Sequence, residues 1–149
     1  MLSFLKKKDP GVFQYDSKII KNFHKDHEKL IKSIAKISQY IEKDDKKKVK
    51  NLLKQFKTTI LHHFMEEDIK LYRYLKKYYC DSHETLAIIK NFETGIKVIQ
   101  KDIINFLDYY TQDNTILNHE FKEQFHTVIN NLEERIRTEE KSLYPLYTK

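Results

Sequence analysis

Apolar residues recur at intervals of three and four over four stretches of the chain, the spacing of one helical face. The first stripe is Ile20, Phe23, His27, Leu30, Ile34, Ile37 and Ile41. The second is Val49, Leu52, Phe56, Ile60, His63, Glu67 and Leu71, and it ends near Tyr78-Tyr79-Cys80. The third runs His83, Leu86, Ile89, Phe92, Ile96, Ile99, Ile103 and Phe106. The fourth is Phe121, Phe125, Val128, Leu132, Arg135, Glu139 and Leu143, ended by Pro145. Polar turns are predicted at 43–48, around Asp81 and Ser82, and at 111–114, with Asp81 or Ser82 capping the third helix. Short connections between long helices predict an all-α, four-helix up-down-up-down bundle over residues 18–149. Asp9-Pro10-Gly11 breaks the chain before it, so residues 1–17 are expected to form an N-terminal arm.

Composition supports that class. Only 2 Gly and 2 Pro occur in 149 residues, too few for the turns of a multi-strand β fold. Apolar residues make up 40%, enough for one core and against disorder. No apolar run approaches a membrane span. The net charge of +6 would suit an anionic partner. The basic residues are nearly all dispersed lysines, however, and the arginines are Arg73, Arg135 and Arg137. Nucleic-acid readers favour arginine for bidentate contacts, so no nucleic-acid partner is expected. Cys80 is the single cysteine and allows no internal disulfide, which fits a cytoplasmic protein.

Ionisable residues interrupt three of the stripes and head another. His27, His63, Glu67, His83, Arg135 and Glu139 all stand where the period calls for an apolar side chain. A buried charge costs several kcal/mol unless it is paired or bound to a metal. In an up-down bundle, early positions of the first and third helices lie level with late positions of the second and fourth. All six residues are therefore expected toward one end. Histidine and glutamate one turn apart on facing helices can build a carboxylate-bridged metal site. Such donors suit iron, manganese or zinc.

The motifs around these residues resemble the hemerythrin-like, HHE cation-binding family. Asp26-His27-Glu28-Lys29-Leu30 is similar to its first-helix motif, and His63-Phe64-Met65-Glu66-Glu67 to its second. His83-Glu84 fits the third-helix histidine. Residues 132–140, followed by Leu143-Tyr144-Pro145-Leu146, have the form of the closing motif. The resemblance covers about residues 18–147. It implies a non-haem iron site with His27, His63, Glu67, His83 and Glu139 as ligands, the two glutamates bridging or ligating terminally. It also implies a small diatomic or anionic ligand at the iron, and a role in binding or sensing oxygen, nitric oxide, reactive oxygen species or iron.

Two positions depart from the family pattern. Arg135 stands where the fourth motif opens with histidine, and a guanidinium has no lone pair for a metal. Ala87 stands where a further third-helix histidine serves the oxygen carriers, so reversible oxygen carriage is not expected. With Arg135 as an internal counter-charge, one tightly bound iron is expected in place of two. A di-iron site is the open alternative, and so is a metal-free bundle acting as a regulatory module with a protein partner. Arg135 could instead reach out to the surface. Glu66 and His24 are expected beside the site, as a substitute ligand and an auxiliary neighbour. The paired His119 and Glu123 lie near the far end, and His126 lies roughly 13 Å before Arg135, too far to replace it. The terminal tyrosines, including Tyr72 and Tyr144, are expected mainly to pack. A binding or sensing role is expected in preference to catalysis.

Overall fold

The computed structural model describes residues 14–149. The N-terminal arm therefore lies largely outside the described residues. Five α-helices follow: α1 (Ile19–Glu42), α2 (Lys46–Glu67), α3 (Arg73–Tyr78), α4 (His83–Tyr110) and α5 (His119–Thr138). A π-helical turn, Asp68–Tyr72, joins α2 to α3, so the two read as one long rod. A second, Glu139–Leu143, extends α5 and leads into a 3-10 turn at Tyr144–Leu146. Helix α1 packs on α2, α2 on α4, α4 on α5, and α5 back on α1, closing a four-rod bundle.

The stripes form its interior. Phe23, Leu30, Ile34, Ile37, Leu53, Phe56, Ile60, Ile89, Ile103, Phe121, Phe125 and Leu132 are all buried. Each contributes about 1.5–3 kcal/mol of transfer free energy. Local chemistry sets the ends of the rods. Asp44 turns the chain at φ 55°, and the carboxylate of Asp45 accepts from the Lys48 amide to cap α2. Asn118 caps α5 through the Phe121 amide. Ser82 precedes α4, but its side chain makes no capping bond.

The π-helical turns alter the level of the rods. Helical periodicity continues past Glu67, but the chain widens there and runs on to Tyr78. Helix α4 must travel back along that extension before it reaches Glu67. His83, its first residue, is therefore exposed and stands nine residues before Phe92, roughly 13 Å along the axis. The expectation that the start of α4 lies level with the histidine-glutamate pairs fails for this reason.

The bundle end beyond the site is closed by tyrosines. Tyr147 stacks on Tyr15 with ring centroids 5.1 Å apart and accepts from the Asp16 amide at 2.8 Å. Tyr74 and Tyr79 donate to the carbonyls of Thr148 and Leu146 at 2.6 and 2.7 Å. The C-terminal segment is thereby tied to both the entry of α1 and the end of α3.

Candidate metal centre

Among the described residues, four charged or polar side chains are buried in the interior: His27, His63, Glu67 and Glu139. All four were legible from the stripes. His27, His63 and Glu67 converge, with one ligand atom of each lying within 4.8 Å of the others, the one such group among the described residues. Helix α1 supplies the first, and α2 supplies the other two from successive turns.

Each histidine is anchored from behind. His63 Nδ1 donates to Asp26 Oδ2 at 3.1 Å, and His27 Nδ1 donates to Glu140 Oε2 at 2.7 Å. A carboxylate only accepts, so each pairing places a proton on Nδ1 and turns Nε2 inward. This carboxylate-histidine relay is how metal-ligating imidazoles are oriented and made more basic. His24 adds to the same outer layer, with Nδ1 3.1 Å from Glu140 Oε2.

The inward-facing atoms draw on few protons. Glu67 Oε1 stands 3.0 Å from His63 Nε2, yet that nitrogen is buried without an aligned hydrogen bond. Tyr144 donates its one proton to Glu67 Oε2 at 2.6 Å, and its oxygen also lies 3.1 Å from His27 Nε2. Two imidazole nitrogens, a carboxylate and a phenol oxygen meet in one place. A cation satisfies such a set directly, so the residues present fit a bound metal. Two histidines and one carboxylate with positions left open form a donor set used by non-haem iron.

Electrostatics divides the buried groups. Burial pushes His27 below its ordinary value, with the Glu140 hydrogen bond offsetting only part. Burial also opposes charge on His63, but Glu67 and Asp26 outweigh it and hold the imidazole above its usual range. Burial would raise Glu67, yet the neighbouring His63 imidazole leads the groups that pull it below the carboxylate range. Glu139 goes the other way. Burial and the Glu67 charge push it well above the usual range, against Arg135 and the Tyr72 hydroxyl.

Glu139 and Arg135 belong to a second half of the site. His63, Glu67, Leu71 and Tyr72 recur 72 positions later as Arg135, Glu139, Leu143 and Tyr144. A π-helical turn follows Glu67 in the first set and begins at Glu139 in the second. The wide turn brings the residue five places on toward the face of the glutamate. Each tyrosine then crosses to the opposite glutamate: Tyr144 donates to Glu67, and Tyr72 donates to Glu139 Oε2 at 3.1 Å.

The halves differ at their heads. Where α1 places His27 opposite His63, α4 places Gly95 opposite Arg135. The guanidinium turns inward, not out to the surface, and lies over the Phe92 ring at 4.8 Å. Its Nη2 donates to the Phe92 carbonyl. No metal ligand comes from α4 at this level. Glu139 Oε1 stands 3.9 Å from His27 Nε2, at the boundary between the two halves.

The remaining expected residues fall outside the cluster. His83 is exposed and joins nothing in it. Glu66 turns to Lys70 Nζ at 2.6 Å. His119 and Glu123 form an exposed pair of their own at 2.9 Å. Sequence reasoning missed the roles of Asp26, Glu140, Tyr72 and Tyr144. The tyrosines had a signal in the shared glutamate-plus-five spacing of the second and fourth helices. Their hydroxyls bond to the buried glutamates, so they do more than pack.

Fold and donor set together define a four-helix bundle with a buried histidine-carboxylate cation site. The chain belongs to the hemerythrin HHE cation-binding domain family, whose model matches residues 18–147. No curated protein and no solved structure gives a significant match to the chain. None of the described helices is long and apolar enough to cross a membrane.

Proposed function

We propose that this protein is a hemerythrin-like non-haem iron-binding protein that holds one iron tightly and binds or senses a small diatomic or anionic ligand there. The observation that carries this reading is the paired relay, Asp26 to His63 and Glu140 to His27, which turns the Nε2 atoms of two imidazoles inward beside Glu67. His27, His63 and Glu67 would hold the ion, with Glu139 at its edge. Iron, when bound, supplies coordination positions open to oxygen, nitric oxide, superoxide or peroxide.

The chain's own residues shape what can happen there. Asp26 and Glu140 keep the imidazoles turned inward. Arg135 supplies a fixed positive charge in the half where the family would place a second metal. That charge offsets Glu139 and would attract an anion approaching the iron. These features favour binding and sensing over turnover, and the lone Cys80 suits the cytoplasm. The test is anaerobic loading with ferrous iron followed by elemental analysis. One iron per chain supports the reading; two, with an oxo-bridged absorption spectrum, overturn the mono-iron assignment.

A metal-free regulatory module with a protein partner is the second reading. What favours it is Arg135, whose inward guanidinium already sets a positive charge against the buried Glu139. Protein that takes up no iron, manganese or zinc under anaerobic loading would support it.

A further inference from the structure

Tyr144 reaches two members of the three-residue cluster, one from each of the helices that build it. Its oxygen is 2.6 Å from Glu67 Oε2 and 3.1 Å from His27 Nε2. His63 Nε2 is 3.0 Å from Glu67 Oε1. Donor atoms bound about 2.0–2.2 Å from one ion stand roughly 3–3.5 Å apart when they are neighbours in its shell. Two of the three contacts fall in that range, and the third is only a few tenths of an ångström shorter.

The tyrosine is also held in position from several sides. Its ring stacks on His27 with centroids 5.6 Å apart and 12° between planes. Phe23 packs at 5.9 Å and His24 at 5.4 Å. Its backbone sits where the π-helical turn gives way to the 3-10 turn containing Pro145. The residue is 3% exposed, so moving the hydroxyl aside would mean repacking a closed interior.

Proton counting points the same way. Nδ1 of His27 is committed to Glu140, so Nε2 faces Tyr144 with a lone pair. Glu67 faces it with another. The single phenol proton can serve only one of them. Tyr72 is the internal control. It has the same spacing from its own glutamate, but it meets Glu139 in the half filled by Arg135, where no imidazole faces it.

We propose that Tyr144 is a fourth protein ligand, completing the His27, His63 and Glu67 set by binding trivalent iron through its phenolate oxygen. The Tyr144 O–H bond breaks, an oxygen–iron bond forms, and the proton leaves to solvent with no change in oxidation state. This rests on the iron-binding reading above. It assigns the site to ferric iron, which a phenolate favours over ferrous iron.

The test loads wild-type protein, Tyr144→Phe and Tyr72→Phe with ferric citrate, removes excess iron, and compares metal content with the visible and resonance Raman spectra. Wild type and Tyr72→Phe are expected to show a phenolate-to-iron charge-transfer band with tyrosinate vibrations. Tyr144→Phe is expected to lose both, whether it keeps its iron or releases it. Iron-bound wild type without the band overturns the ligand assignment and leaves the iron-binding reading intact. A band lost in Tyr72→Phe and kept in Tyr144→Phe also overturns it. Wild type that retains no metal overturns both.

Discussion

Arg135 rests against Gly95: a Cβ built on that glycine would stand 3.0 Å from Nη1. The missing side chain on α4 makes room for the guanidinium to cross the bundle and stack on Phe92. Valine at this position should displace Arg135 and cost about 1–3 kcal/mol as an overpacked contact. The penalty should shrink when Arg135 is already alanine. A double-mutant cycle by urea denaturation checks this, with a coupling energy of about 1 kcal/mol expected. Simple additivity would mean that Gly95 and Arg135 do not restrain each other.

Arg135→His removes the fixed charge and returns a donor to the second half of the site. Iron content after anaerobic loading is expected to rise above one per chain, because Glu139 then faces an imidazole and not a guanidinium. Content unchanged from wild type would show that Arg135 is not what limits occupancy.

Asp26 touches no metal position, yet it orients His63. Asp26→Asn should weaken metal affinity by roughly 10–100-fold, the usual cost of losing such a partner. Competition with a coloured chelator measures it. Equal affinity in variant and wild type would remove the relay from the account of the site.

His83→Ala should leave metal affinity and stoichiometry unchanged, because His83 is exposed and makes no contact with the cluster. The same titration on His63→Ala should show loss of the tight site. A His83 variant that fails to hold iron would return that residue to the ligand set.

Metal binding should also stabilise the fold by mass action. At a free ion concentration one hundred times Kd the gain is about 2.7 kcal/mol, or roughly 5–10 °C in Tm for a domain of this size. Differential scanning fluorimetry with and without metal reads it directly. An unchanged Tm at saturating metal would indicate equal binding to the unfolded chain.

Most of the fold was legible because its signal is periodic. Every member of the second stripe from Val49 to Leu71 is buried. The buried pair Glu67 and Glu139 was equally legible, since each interrupts an apolar face at helical spacing. His83 misled because helical spacing leaves no trace of the wide turn at Asp68–Tyr72 or of the rod's extension to Tyr78. Its histidine-glutamate dipeptide resembles the family motif, but sequence resemblance carries no axial coordinate.

The sequence by itself determined four amphipathic rods, the family they belong to, and the buried histidines and glutamates, because burial periodicity is a local property of the chain. Tertiary structure decided which donors meet. The wide turns at Asp68–Tyr72 and Glu139–Leu143 send Tyr72 and Tyr144 across to opposite glutamates. The length of α3 carries His83 past the site, and Gly95 gives Arg135 its place inside. Those outcomes depend on the relative height and rotation of packed helices, which no single stripe encodes.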